Sequence, residues 1–256
     1  MTNVAIVGCG YWGPNLIRNF RSLSECRVAK ICDADPNRLE HLKQIYPDVQ
    51  STTDFVNILE DASINAVAFA TPVHTHFGLA SQSLEAGKHT FIEKPMAASS
   101  EQCRKLIDLA QAQNLALMVG HTFVYTAPVL KIKEIIASGE IGEVMYISSR
   151  RLNLGLFQKD INVAWDLAPH DISIILFIMD HDPVSVNCQG KAHLNPEIED
   201  VTNMTINFAN GGIAMVQSSW IDPRKIRETT IVGSKKMIVY DDNEPLEKIK
   251  IYDKRV

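Results

Sequence analysis

The 256-residue chain predicts an α/β protein in two parts: a doubly wound Rossmann domain with a mostly parallel sheet, then an α+β domain with an open, mostly antiparallel sheet. Three observations point that way. As far as about residue 120, short β-branched runs alternate with helical patterns, as βαβ units do. A G-x-G-x-x-G stands directly after the first such run, at Gly8, Gly10 and Gly13. Beyond residue 180, strand-like runs follow one another with only turns between them, which suits antiparallel pairing.

Val4 to Val7 is predicted as a buried strand, followed by a helix carrying Leu16, Phe20 and Leu23 on one face. Val28 to Cys32 is the second strand. Asp35-Pro36 opens the next helix, with Asp at the cap and Pro at the first helical position. Ala66 to Ala70 forms another strand, and a helix from about His76 to Ala86 stops at Gly87. Thr90 to Ile92 is a strand that ends at Glu93-Lys94-Pro95. Ser99-Ser100-Glu101-Gln102 is a capping box for a helix reaching about Gln113, and Leu115 to Val119 closes this half. The boundary falls near Gly120 to Thr126, giving domains of 1–122 and 123–256. The second half begins with a helix from about Pro128 to Ala137 and a strand through Val144 to Ile147. A helix from about Asp166 to Met179 comes next. Strands follow at Val184 to Gln189, Val201 to Phe208, Ile213 to Ser219, Ile226 to Val232 and Met237 to Tyr240, with a hairpin turn at Asn210-Gly211-Gly212.

Composition narrows the class. Hydrophobic residues at 46% and charged residues at 21% are ordinary for a globular protein. A net charge of -5 lacks the basic footprint of a general nucleic-acid binder. The five cysteines are odd in number and show no C-x-x-C, which predicts reduced thiols with neither a disulfide framework nor a zinc knuckle. The apolar run Ile172 to Met179 is too short to cross a bilayer, and the first strand leads straight into a glycine turn in place of a signal cleavage site. The expectation is a soluble, cytoplasmic protein with no nucleic-acid or membrane partner.

The glycine motif sits between a strand and a helix, where Gly8 permits a tight turn, Gly10 a close approach to a pyrophosphate and Gly13 close packing of helix on strand. The helix N-terminus offers N–H groups and positive dipole to the anion. Asp33 follows Gly13 by 20 residues at the end of the second strand, where an acid bonds the adenosine ribose. Asp33 and Asp35 repel a 2′-phosphate, which favours NAD over NADP, with Arg38 expected to be solvated on the next helix. Lys94, at the carboxyl end of a Rossmann strand, is placed to bond a substrate hydroxyl and favour its alkoxide; an isolated lysine would otherwise be a surface residue. Asp166 and His170 share a helix face at i and i+4, and because Pro169 is tolerated only in a first turn, both are expected at the helix entrance. His170 has the intrinsic pKa of a general base, with Asp166 orienting it or the substrate. The competing reading of that pair is a capping Asp beside an ordinary His. His74-Thr75-His76 lacks a third ligand for a metal, so no metal is expected.

Together, G-x-G-x-x-G with Asp33, Ala70-Thr71-Pro72, Glu93-Lys94-Pro95 and Asp166-x-x-x-His170 resemble the glucose–fructose oxidoreductase / inositol dehydrogenase (Gfo/Idh/MocA) family along almost the whole chain. The resemblance implies Lys94, Asp166 and His170 as the catalytic residues. It implies a cofactor site built from Gly8, Gly10, Tyr11, Trp12, Gly13, Asp33, Thr71, Pro72, His76, Glu93 and Lys94. It also implies a homo-oligomer, dimer or tetramer, joined through the open face of the C-terminal sheet. Residues 11–15, Tyr-Trp-Gly-Pro-Asn, and 165–171, Trp-Asp-Leu-Ala-Pro-His-Asp, are similar to members that oxidise nucleotide-linked amino sugars at C3 in surface-polysaccharide synthesis. Arg150-Arg151-Leu152-Asn153 is expected as a basic loop able to meet a phosphate. Two other functions stay open: a dehydrogenase of a free polyol such as inositol, and a redox or metabolite sensor that binds NAD without turnover. Family chains usually continue past the point reached by Lys254-Arg255-Val256, so the C-terminal domain is expected to be incomplete.

Overall fold

Along β1 (Thr2–Val7), successive side chains enter different cores: Val4 and Ile6 pack on one side of a sheet, Ala5 and Val7 on the other. A strand apolar on both faces needs a helical layer on each side. The computed structural model, which describes residues 1–155, 157–158 and 161–253, supplies those layers. Its first unit, Met1–Gly120, contains β1, α1 (Gly13–Arg21), β2 (Cys26–Cys32), α2 (Pro36–Ile45), β3 (Gln50–Thr52), α3 (Val56–Leu59), β4 (Ala66–Phe69), α4 (Val73–Glu85), β5 (His89–Ile92), α5 (Ser100–Ala112) and β6 (Leu117–Val119). The six strands are all parallel, in the order β3-β2-β1-β4-β5-β6. That order reverses direction between β1 and β4, where doubly wound folds open a ligand crevice at the carboxyl ends of their strands. Leu16, Ile17, Leu39 and Leu42 from α1 and α2 cover one face, and Ala80, Leu84, Leu106 and Ala110 from α4 and α5 the other.

Local signals explain most helix ends. Asp35 caps α2 by accepting from the Asn37 N–H at 2.9 Å, and Ser99 caps α5 by accepting from that of Gln102 at 3.2 Å. Gln102 reaches back to the N–H of Ala98, one residue short of a reciprocal capping box. The helix after the glycine turn differs from expectation. It ends at Arg21 and buries Leu16 and Ile17, whereas Leu23 lies beyond it and is exposed.

The second unit, His121–Val256, starts with a 3-10 turn at Thr122–Tyr125, then α6 (Ala127–Ala137), β7 (Val144–Leu154) and α7 (Val163–Met179). Six strands follow: β8 (Pro183–Lys191), β9 (Val201–Phe208), β10 (Ile213–Ser219), β11 (Ile221–Gly233), β12 (Lys236–Asp241) and β13 (Ile249–Asp253). The sheet order is β13-β12-β11-β7-β10-β9-β8, antiparallel throughout except for β7 with β10. α6 and α7 pack on one face over Ile147, Ile206, Ala214, Val216, Ile231 and Ile238.

The opposite face, expected to be apolar, is graded. One transverse row, Ile213, Tyr146, Val232, Met237 and Tyr252, is apolar; another, Gln217, Arg150, Glu228 and Asp241, is polar. The predicted basic loop is likewise corrected, because residues 150–154 continue β7. Arg151 is buried in an ion pair with Asp171 at 2.6 Å, and Arg150 pairs with Glu228 at 2.6 Å, so neither guanidinium is held out for a phosphate. Lys254, Arg255 and Val256 lie outside the described residues. Among the described residues, no helix is long and apolar enough to cross a membrane, and no three His, Cys, Asp or Glu side chains are grouped to hold a metal.

Candidate functional site

The turn after β1 is shaped by what its glycines lack. Gly8 has φ +92°, and a Cβ there would stand 2.6 Å from the Ala70 carbonyl oxygen. A Cβ on Gly13 would overlap the carbonyl oxygen of Gly8, so only hydrogen lets α1 start this close to β1. Beside the turn opens a cleft of about 580 Å³ at the carboxyl ends of β1, β2 and β4. Gly8, Gly10, Tyr11, Trp12, Asp33, Thr71 and Pro72 line it, while Gly13, His76, Glu93 and Lys94 lie off its walls. A dinucleotide fits this set: glycine backbone and a helix start for the pyrophosphate, and a carboxylate at the end of β2 for the ribose.

Asp33 is only 7% exposed, yet its oxygens already work as acceptors. Oδ2 takes the Cys9 N–H at 2.7 Å and Oδ1 the Asp35 N–H at 2.8 Å. Arg38, exposed as expected, also lines the cleft and sets its Nη1 3.3 Å from Asp33 Oδ2, with Nε 3.7 Å from Asp35. Burial pushes the Cys9 thiol up to about 12 and the Cys32 thiol up to about 11, with the Asp33 charge adding to both, so neither supplies a thiolate near neutral pH.

Four further groups surround the end of β5. The Glu93 carboxylate accepts the Trp12 indole N–H at 2.7 Å; burial raises its pKa, and that bond opposes the rise. Lys94 is half-buried and joined to Pro95 by a cis peptide bond. His76 is buried beneath the loops: Nδ1 lies 2.9 Å from the Pro95 carbonyl oxygen and Nε2 2.8 Å from that of Thr71. Burial lowers the His76 pKa, and the two carbonyl oxygens act against that shift. Thr75 Oγ1 donates within the same turn, lying 2.8 Å from both Thr71 Oγ1 and the Pro72 carbonyl oxygen.

In the second unit, Asp166 and His170 lie one turn apart on α7, which begins three residues earlier than expected. Asn162 is the cap, accepting from the Trp165 N–H at 3.1 Å, and Pro169 sits in the second turn. Asp166 still falls in the first turn, near the helix entrance as expected, and only Pro169 and His170 lie a turn further in. Asp166 Oδ2 accepts the Trp220 indole N–H at 3.1 Å. The His170 ring meets Phe123 edge-on at 4.9 Å, and the Arg151 guanidinium lies over the same Phe123 ring at 4.6 Å. Asp171 holds Arg151 and also accepts from Ser149 at 2.7 Å. Sequence reasoning missed Trp220 and Phe123 altogether; an aromatic residue at a strand end or in a 3-10 turn carries no spacing signal that links it to a helix far along the chain.

Comparison with known proteins agrees with these features. Residues 2–121 match an oxidoreductase family with an NAD-binding Rossmann fold, and residues 129–239 match the GFO/IDH/MocA C-terminal domain. The chain is 28% identical over 232 residues to UDP-N-acetylglucosamine 3-dehydrogenase of Acidithiobacillus ferrooxidans, covering 87% of this chain and 67% of that one. It is 26% identical over 222 residues to inositol 2-dehydrogenase 2 of Saccharopolyspora erythraea, covering 84% and 66%. Its backbone matches the crystal structure of the WlbA dehydrogenase of Bordetella pertussis with a TM-score of 0.89 at 18% identity, covering 100% of this chain and 78% of that one. The chain spans 57% to 66% of the length of the curated relatives it matches first. It belongs to the Gfo/Idh/MocA oxidoreductase family, and its first unit is that family's NAD-binding Rossmann domain.

Proposed function

We propose that the protein transfers hydride between NAD and a secondary alcohol of a sugar, nucleotide-linked and oxidised at C3. One observation carries the catalytic part: Lys94 stands at the carboxyl end of β5, on the same sheet edge as the cleft, with its neighbours Glu93 and Pro95 tied to the cofactor turns. When bound, NAD supplies a nicotinamide C4 that accepts or returns the hydride. The Lys94 ammonium donates a hydrogen bond to the substrate hydroxyl and favours its alkoxide. His170 takes the hydroxyl proton as general base, and Asp166, steadied by Trp220, orients the sugar. The NAD preference follows from Asp33 and Asp35, which already neutralise Arg38 and leave excess negative charge where a 2′-phosphate would sit.

The nucleotide-sugar assignment rests on residues 11–15 and 165–171 and on the similarity to UDP-N-acetylglucosamine 3-dehydrogenase. Similarity to inositol 2-dehydrogenase 2 favours the second reading, a free polyol. A cofactor-reduction screen separates them. Reduction of NAD is expected with UDP-linked amino sugars and much less with inositol or glucose. Equal turnover of inositol and every nucleotide sugar would remove the narrower assignment. The same proposal includes a homo-oligomer, formed through the row of Ile213, Tyr146, Val232, Met237 and Tyr252, because pairing that row across a two-fold axis takes its apolar surface out of water.

A further inference from the structure

Lys94 lies between two residues whose positions are set from other loops. On one side, Glu93 accepts from the Trp12 indole at 2.7 Å. The seat of that carboxylate is made by a glycine: Glu93 Oε2 lies 2.9 Å from where a Cβ on Gly120 would stand. On the other side, the Pro95 carbonyl oxygen lies 2.9 Å from His76 Nδ1, while His76 Nε2 lies 2.8 Å from the Thr71 carbonyl oxygen. His76 is 1% exposed, so water does not compete for its hydrogen bonding. Trp12 belongs to the turn after β1, Thr71 to the turn after β4 and Lys94 to the loop after β5. Glu93 joins two of these loops through Trp12, and His76 joins the turn after β4 to the Lys94 loop, donating to one carbonyl oxygen as the neutral ring and to both only as the imidazolium.

We propose that Glu93 and His76 are positioning residues, clamping the backbone on both sides of Lys94 to the two turns that hold NAD. This rests on the reading of Lys94 as the catalytic lysine. A role for His76 as a direct cofactor contact fits less well, because both ring nitrogens face backbone carbonyls and the ring lies off the cleft lining. The clamp addresses a specific weakness of lysine. Its long flexible stem places the ammonium only as well as its backbone anchor is placed, and a misplacement of about 1 Å in a reacting group costs about 10²-fold in rate. With both flanks fixed to the cofactor turns, nicotinamide and ammonium keep one register.

The test uses E93A, E93Q, H76F and K94A, with amide hydrogen exchange, NAD titration and single-turnover hydride transfer from a UDP-linked amino sugar. Losing one tie in E93A or H76F is expected to speed amide exchange over residues 91–97 by about tenfold, the equivalent of one hydrogen bond, with residues 2–7 and 26–32 unchanged. Hydride transfer should fall by about tenfold or more while the NAD dissociation constant stays within about threefold. E93Q keeps an oxygen acceptor for Trp12 and should recover most of the E93A loss. Unchanged exchange over 91–97 in both E93A and H76F overturns the proposal, as does E93Q proving as damaging as E93A. Should H76F not fold, the E93A and E93Q pair decides alone. K94A transferring hydride at the wild-type rate would remove Lys94 from catalysis, and the exchange data would still decide the clamp.

Discussion

Under the proposed function, Asp33 would meet the adenosine ribose with a carboxylate that is partly used, accepting two backbone N–H groups and the edge of Arg38. A carboxylate has about four acceptor positions, so room remains for ribose hydroxyls. Asp33→Ser removes the charge that occupies Arg38 and should free that guanidinium for a 2′-phosphate. The ratio of NADP to NAD dissociation constants is expected to fall by about tenfold, and titration of both cofactors measures it. An intact protein that prefers NADP would refute this account of Asp33. Trp220 plays the corresponding part for Asp166. Trp220→Phe keeps a ring in a site only 1% exposed but removes the N–H held 3.1 Å from the carboxylate. A hydrogen bond to a charged group contributes about 1.5–3 kcal/mol, so KM for the sugar should rise about tenfold or more, with NAD binding unchanged. A parallel loss of NAD affinity would contradict that assignment.

At the scale of elements, the segment between α3 and β4 is held by one carboxylate. Asp61 accepts from Lys30 on β2 at 2.7 Å and from Ser63, and its carbonyl oxygen takes the buried Lys88 ammonium at 2.9 Å. The Lys30 bond, then those from Ser63, hold the Asp61 carboxyl well below the usual carboxylate range. A folded pKa below the unfolded one stabilises the fold above pH about 4, and that contribution fades as pH falls through the folded value. Asp61→Asn should lower the melting temperature by a few degrees at pH 7, about 1 kcal/mol, and the gap to wild type should narrow as the pH drops below about 4. A gap independent of pH would contradict this. The same segment shows where sequence reading stopped. The strands at Val4, Val28, Val201 and Ile213 were legible as short β-branched, apolar-rich runs bounded by turn signals. β3 is only three residues, all polar, Gln50-Ser51-Thr52, and α3 only four, Val56-Asn57-Ile58-Leu59, so neither is long enough to carry a period to detect. The start of α7 was misplaced because Pro169 is a strong local signal and Asn162 a weak one. In the site, the glycines and Asp33 were legible because their spacing is itself the mechanism. The ties from Trp12, His76 and Trp220 were not, since each joins elements brought together only by the fold.

Across the whole molecule, two units carry separate parts of the proposed chemistry: a cofactor cleft beside Lys94 in one, and Asp166 with His170 in the other. The proposed assembly uses the apolar row on the outer face of the second sheet. Met215→Arg and Ile213→Arg place a charge on that face, where both residues are 40% exposed, and should convert a dimer or tetramer to monomer in sedimentation velocity without unfolding it. A wild-type chain that sediments only as monomer would overturn the assignment. The central claim is that this protein is a dehydrogenase whose lysine at the end of β5 acts in hydride transfer without being needed to hold NAD. Its most direct test is NAD affinity measured beside single-turnover hydride transfer in Lys94→Ala. The account predicts an NAD dissociation constant close to that of wild type, because the glycine turn and Asp33 remain, and hydride transfer slower by about 10²–10⁴. Hydride transfer at the wild-type rate in that variant would contradict it, and the protein would then be better read as an NAD-binding sensor.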